Sequence, residues 1–76
     1  MLDRNNKKLS NGDLLESYVD SILTIIRFIS DSKGFEPVEG FGTVGLSEHC
    51  YRPDDWEVMS PERVSRINEQ FSVSLK

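Results

Sequence analysis

Two neighbouring residues, His49 and Cys50, are the only histidine and the only cysteine in the sequence, so they are its only candidates for a soft-metal site or a thiol nucleophile. A zinc site needs about four ligands, and successive residues of a strand point to opposite faces. A thiol nucleophile needs an imidazole within hydrogen-bonding reach, together with an orienting group. Adjacent residues rarely meet either requirement. We therefore predict no metal site, no cofactor and no catalytic residue at this pair.

A cluster of carboxylates follows, with Asp54, Asp55 and Glu57 next to the sequence Arg52-Pro53. Acid–base catalysis would require two carboxyl groups held in a cleft with separated pKa values, and so short a chain has little room for one. Proline presets its own φ angle, and aspartates bond locally to the backbone. The segment therefore predicts a turn with a solvated acidic edge. The alternative interpretation is a recognition edge for a basic partner.

Two aromatic residues, Tyr51 and Trp56, lie within the same acidic segment. Aromatic anchors surrounded by charge are typical of interfaces, where a few such residues carry most of the binding energy. Acidic groups around them would speed the encounter with a basic partner. We therefore predict a partner-binding surface formed by Tyr51, Asp54, Asp55, Trp56 and Glu57. In its strongest form, this surface mimics nucleic-acid charge and blocks a nucleic-acid-handling protein.

Phosphate recognition is disfavoured by the rest of the chain. The glycines of residues 34–45 lack the Gly-Lys-Ser/Thr pattern of a phosphate-binding loop. Arg63 and Arg66 could contact a nucleic-acid backbone, but the formal net charge is −4, and nucleic-acid binding usually needs a basic footprint. A nucleic-acid-binding regulator is therefore the weakest of the functional alternatives.

Length and composition limit the architecture to one small domain. The chain has 76 residues, of which 37% are hydrophobic. The polar residues 1–9 predict a flexible tail, and residues 10–76 a single small domain. One cysteine argues against a disulfide-stapled secreted protein, and no apolar run is long enough to cross a membrane. We therefore expect a cytoplasmic protein without membrane contact.

The most periodic part of the sequence is residues 13–31. On a helical wheel its apolar residues cover an arc of about 220°, with Leu23 and Phe28 at the edges, and the acidic residues fall on the opposite side. The pattern predicts a long N-terminal amphipathic helix with more apolar surface than one small domain needs. Leu23 and Phe28 are accordingly predicted to contact another chain, which includes the possibility of a homodimer.

The remaining chain predicts a glycine-rich middle with short antiparallel strands, one of them at Thr43-Val44, and a second, shorter helix near the C-terminus. Ser60 is expected to cap that helix and Pro61 to occupy its first position. Residues 71–75 alternate in polarity and predict a terminal strand. The predicted fold class is therefore α+β, with Gly34 ending the long helix.

These observations favour a small acidic protein-binding module over an enzyme. It would be an inhibitor, adaptor or regulatory protein that occupies a partner surface. The first alternative is a structural subunit or obligate homo-oligomer assembled through the long helix, and the second is a nucleic-acid-binding regulator.

Overall fold

An antiparallel β-sheet organises the chain, and the computed structural model describes residues 1–32, 34–44, 46–47 and 49–75. The elements are β1 (Leu14–Val19), β2 (Ile22–Ile29), β3 (Gly34–Pro37), β4 (Leu46–Ser47), β5 (Glu57–Val58) and the helix α1 (Pro61–Phe71). The strands lie in the spatial order β4-β3-β2-β1-β5. The hairpin of β1 and β2 therefore supplies the two longest strands of the sheet, next to each other.

The predicted long N-terminal helix is wrong, because this part of the chain forms that β-hairpin. The strands pair from Leu14↔Arg27 to Val19↔Ile22. Asp20 and Ser21 form the two-residue connection, with φ angles of 51° and 66°. Positive φ at both central residues is the mark of a type I′ turn, whose twist matches that of a hairpin. The α+β prediction is thus corrected to a sheet-dominated fold, whose described residues include one short α-helix.

The apolar pattern of residues 13–31 wrongly predicted a helix because both faces of the hairpin have buried residues. Leu15 and Ile26 point to one face and Leu14 and Ile25 to the other, and each is at most 4% exposed. A strand buried on both faces loses the polar–apolar alternation that identifies a half-exposed strand. Plotted on a helical wheel, two buried faces appear as one very wide apolar arc. The several isoleucines of β2 favour a strand, since β-branched residues pack well on a pleated sheet.

Two small cores share this sheet. We call the side covered by α1 the helix face and the opposite side the loop face, because residues 1–9 and 49–56 cover it. The buried residues of the helix face are Leu14, Ile25, Met59 and Ile67. Those of the loop face are Leu9, Leu15, Ile26, Phe28, Phe35, Tyr51 and Trp56.

The prediction for the start of α1 is confirmed. The Ser60 side chain accepts a hydrogen bond from the Arg63 N–H at 3.2 Å, and Pro61 occupies the first turn. A serine cap satisfies one of the otherwise unpaired N–H groups there, and proline has no N–H that would need a partner. Ile67 is 1% exposed against the sheet. Local side-chain chemistry therefore positions the beginning of this helix.

The predicted terminal strand over residues 71–75 is wrong. Ser72 ends α1 in the left-handed conformation, with φ 54°. The Asn68 amide then holds the chain end, because its Oδ1 accepts from the Leu75 N–H at 2.6 Å and its Nδ2 donates to the Leu75 carbonyl at 3.1 Å. Val73 and Leu75 pack against the helix-face core. The alternation of polarity in this segment therefore reflects the packing of Val73 and Leu75 on the core, with the Asn68 side chain bonded to the backbone, and not strand pairing.

The glycine-rich middle contains the β pairing expected of it, at other residues than predicted. Gly34 pairs with Ile29 at the start of β3 and caps no helix. β4 begins at Leu46, so the strand predicted at Thr43-Val44 is wrong. Gly42 instead passes close to β2, with its N–H bonded to the Leu23 carbonyl at 3.1 Å.

Substituting Gly42 with alanine is expected to lower the free energy of unfolding by about 1–3 kcal/mol. A Cβ at this position would lie 2.4 Å from the Thr24 Oγ1 and 3.2 Å from the Ile22 Cγ2. Thr24 is buried and has little freedom to move. Urea unfolding of Gly42→Ala, Thr24→Ala and the double variant measures the effect. The double variant should be less destabilised than the sum of the two singles, and simple additivity would show that the clash is not the cause.

The N-terminal segment lies against β5 and the loop face. Asp3 is 2% exposed and Leu9 is 7% exposed. The Asp3 carboxylate accepts hydrogen bonds from the N–H groups of Asn5, Lys7 and Val58 at 2.8–2.9 Å. The flexibility predicted for residues 1–9 stays a prediction, and hydrogen exchange at these three amides would measure it.

Candidate functional site

The aromatic residues predicted to anchor a partner lie inside the molecule. Trp56 is 4% exposed in the loop-face core. The Tyr51 ring stacks on Phe35, with 4.6 Å between ring centroids, and its hydroxyl donates to the Leu2 carbonyl at 2.9 Å. Burial, together with the nearby Asp3 charge, raises the pKa of Tyr51 to about 12. Both aromatic side chains therefore have contacts within the fold in this structure.

The two residues predicted from the helical arc are separated by the sheet. Phe28 is buried on the loop face, with its ring centroid 5.4 Å from that of Phe35. Leu23 lies half-buried on the helix face, where it packs against the core. They do not form one surface, because alternate positions of a strand face opposite ways.

The three carboxylates of the predicted site are exposed, Asp54 and Asp55 on a 3-10 helix over Pro53–Asp55 and Glu57 in β5. The Asp55 N–H donates to the Arg52 carbonyl at 3.0 Å and the Trp56 N–H to the Pro53 carbonyl at 3.2 Å. This tight turn directs Asp54 and Asp55 into solvent while the next residue enters the core. The predicted turn with a solvated acidic edge is therefore present.

Beside this turn, one stretch of β1 has no described strand on the side that faces β5. β5 pairs with β1 only at Leu15↔Val58 and Glu16↔Glu57. The chain before β5 leaves the sheet in the 3-10 helix, so no described strand pairs with residues 17–19 on that side. Tyr18, at the centre of this stretch, is 68% exposed. We call residues 17–19 the open edge.

Two cavities flank the open edge. The first, of about 270 Å³, reaches toward the helix face, and the second, of about 400 Å³, toward the loop face. Ser17, Tyr18 and Asp55 line both cavities, so the open edge separates them. The first is also lined by Arg4, Glu16, Glu57, Val58, Met59, Ser60 and Arg63. The second is also lined by Val19, Asp20, Val44, Leu46, Cys50, Arg52 and Trp56.

Charges around the open edge are mainly negative once ion pairs are taken into account. Arg63 donates bidentate hydrogen bonds of 2.9–3.1 Å to Glu16, with side chains 31% and 16% exposed. These bonds raise the pKa of Arg63, although burial acts in the opposite direction. Asp20, Asp54 and Asp55 have no cationic partner within 4.0 Å among the described residues. A second ion pair joins Arg4 to Glu57 at 3.9 Å. Among the charged residues that line the two cavities, this leaves two carboxylates, Asp20 and Asp55, and one arginine, Arg52, without an ion-pair partner in the described part of the chain.

The residues with catalytic or metal-binding side chains are not assembled into a site in the described part of the chain. His49 and Cys50 are exposed, and the Cys50 Sγ accepts from the Ser47 hydroxyl at 3.5 Å. The described residues contain no cluster of three or more potential metal ligands. Likewise, no described helix is both long and apolar enough to cross a membrane.

No family model, no curated protein and no solved structure matches this chain.

Proposed function

We propose that this chain is a small acidic protein-binding module, acting as an inhibitor, adaptor or regulatory protein that occupies a basic surface of its partner. The observation that carries the proposal is the position of Asp20 and Asp55 beside the open edge, where two unpaired carboxylates face one unpaired arginine, Arg52, among the described residues. Asp54 is exposed next to Asp55 in the 3-10 helix, and we call Asp20, Asp54 and Asp55 the acidic rim. It acts by binding and not by catalysis. A reducing cytoplasm is part of the proposal, supported by the lone cysteine.

Electrostatics favours a basic partner over an acidic one. Carboxylates that are not neutralised within the molecule produce a negative potential, which steers positively charged proteins to the correct patch. The net charge of −4 acts in the same direction. A nucleic-acid-handling protein is one class that carries such a basic surface, and the acidic rim would compete there with phosphate.

The acidic rim, and not the aromatic residues, offers the exposed contact surface in this structure. Tyr51, Trp56 and Phe28 are buried, so their surfaces are not available without rearrangement of the core. Assembly through a long helix is no longer an alternative, since the residues assigned to it form the hairpin of β1 and β2.

Charge reversal at the rim tests the proposal. The probe is a capped seven-residue peptide of alternating valine and lysine, titrated by NMR and calorimetry at low salt. The double variant Asp54→Lys/Asp55→Lys is expected to weaken binding about tenfold, because two attractive contacts become repulsive. The matched control is Glu36→Lys/Glu39→Lys, which makes the same charge change at exposed positions elsewhere. The control variant should bind the peptide with an affinity close to that of the original chain.

Two outcomes would contradict the proposal. Equal weakening in both double variants would mean that only net charge matters. Stronger binding of the corresponding valine–glutamate peptide would show that the rim does not select a basic ligand.

A further inference from the structure

We infer that the partner contributes an extended segment, with the local sequence apolar–basic–apolar, which adds to the sheet as an antiparallel strand opposite Tyr18. This inference rests on the proposed function and specifies how the partner binds. Strand addition supplies affinity through main-chain hydrogen bonds and specificity through alternate side-chain pockets. The open edge provides both.

The register of β1 identifies the available backbone groups. The Asp13 carbonyl points toward β2, where it accepts a hydrogen bond from the Phe28 N–H at 2.9 Å. The Leu14 carbonyl points toward the β5 side, where it accepts a hydrogen bond from the Met59 N–H at 2.8 Å. Backbone groups of an antiparallel strand alternate in direction. The N–H and C=O of Tyr18 therefore point to the β5 side, where no described residue bonds them. One residue of an antiparallel strand can engage both groups.

The outer edge of β5 is hydrogen-bonded to another segment of the chain, in contrast to the open edge. The outer side of β5 is covered by the N-terminal segment, because the Arg4 N–H donates to the Trp56 carbonyl and the Val58 N–H to the Asp3 carboxylate, both at 2.9 Å. Proteins commonly protect an edge with lysine, proline or a bulge. Residues 17–19 are serine, tyrosine and valine in regular pairing with β2. This stretch therefore carries no lysine, proline or bulge.

The two cavities define which side chains the added strand should carry. Directly opposed residues of an antiparallel pair point to the same face. The residue opposite Tyr18 would enter the helix-face cavity, where Asp55 is the one carboxylate of the lining without an ion-pair partner among the described residues and suits a lysine or arginine. Its two neighbours would enter the loop-face cavity, where Val44 and Leu46 suit apolar side chains.

A second copy of the chain fits this edge less well than a basic segment does. Two copies pairing antiparallel about Tyr18 would place Glu16 of each opposite Asp20 of the other. Like charges directly opposite each other destabilise a strand pair. The acidic Asp55 beside the same residues would add to the repulsion. A basic segment meets the same carboxylates with attraction.

Binding of the valine–lysine peptide tests the inference, first with variants of the protein and then with variants of the peptide. Tyr18→Pro removes the outward N–H without removing a bond to β2, and proline is tolerated at such edge positions. Tyr18→Ala keeps the N–H and removes only the ring. We expect Tyr18→Pro to weaken binding about tenfold or more and Tyr18→Ala about twofold. Circular dichroism and NMR spectra of both variants verify that the hairpin is intact.

Peptide variants give the answer even if Tyr18→Pro disturbs the hairpin. N-methylation of the lysine amides blocks the groups that would face Tyr18, whereas N-methylation of the valine amides blocks those that face away. Lysine methylation should abolish binding and valine methylation should preserve most of it. Equal effects of the two methylations would overturn strand addition, and so would a loss of binding in Tyr18→Ala as large as that in Tyr18→Pro.

The result also separates this inference from the proposed function. If charge reversal at Asp54 and Asp55 weakens binding but neither methylation pattern matters, the basic-partner proposal stands and strand addition fails. If light scattering finds a dimer that Tyr18→Pro dissociates, the edge takes a second copy and the basic segment is the wrong occupant.

Discussion

Replacing Trp56 with alanine is expected to destabilise the fold by about 3–5 kcal/mol. The ring is 4% exposed in the loop-face core, in one cluster with Leu15 and Ile26. A chain of this length has a total stability of about 4–11 kcal/mol. The substitution would therefore remove a large part of it and leave a substantial unfolded population. Trp56 is the only tryptophan, so urea unfolding is best followed by far-ultraviolet circular dichroism.

Trp56→Phe is the matched control, because it keeps an aromatic ring in the core and should cost much less. The comparison also decides between two roles for this residue. Truncating a core side chain lowers the free energy of unfolding of the protein, whether or not a partner is bound. If Trp56→Ala instead unfolds at the same urea concentration as the original chain, the side chain is not part of the core and the interpretation as a partner anchor would be restored.

Replacing Asp3 with asparagine is expected to cost about 2–4 kcal/mol of stability. The carboxylate accepts from three backbone N–H groups, whereas an asparagine amide offers one oxygen and directs N–H groups at donors. The bond to Val58 joins the N-terminal segment to β5 across 55 residues of sequence. Hydrogen exchange should consequently accelerate at the amides of Asn5, Lys7 and Val58.

The same carboxylate makes stability depend on acidity. Burial alone would raise the pKa of Asp3, but the three backbone hydrogen bonds outweigh it, so the pKa lies below its usual value. The unfolded chain then binds this proton more readily than the folded one. The contribution of Asp3 is fully present above the unfolded pKa of about 3.9 and is lost as the pH falls through the lower folded pKa.

Asp31→Asn is the control for both effects, since Asp31 is exposed. Its stability should follow that of the original chain at every pH. Asp3→Asn should show a shallower fall in stability than the original chain as the pH decreases below about 4. Parallel pH profiles for Asp3→Asn and the original chain would show that the carboxylate is not held in its charged form.

The features predicted correctly from the sequence depend on neighbouring residues. Ser60 and Pro61 position the start of α1 because a cap and a fixed φ act within one turn. Pro53 and the aspartates after it form the exposed acidic turn for a similar reason. The turn at Asp20-Ser21 also carried a local signal, since both residues are common in turns. Its sequence is weaker than Asn-Gly, and the helical period concealed it.

The open edge could not be found in the same way, because it depends on where a distant strand stops. β5 reaches only as far as Glu16, so the unpaired backbone of Tyr18 is a property of pairing between segments about 40 residues apart. The ion pair of Arg63 with Glu16 spans 47 residues. It removes from the surface a cation that composition alone would count as available. The balance of charge at the candidate site is therefore a tertiary property.

The amino-acid sequence is sufficient for the local features of this protein, namely the Ser60 cap, the start of α1 and the acidic turn, and for its net charge. The choice between a helix and a hairpin over residues 14–29 depends on tertiary contacts, because Leu14, Leu15, Ile25 and Ile26 would be apolar core positions in either arrangement. The hairpin is covered on both sides, by α1 on the helix face and by Tyr51 and Trp56 on the loop face. Those covers come from the far end of the chain, and the contacts that select the hairpin exist only after they have packed.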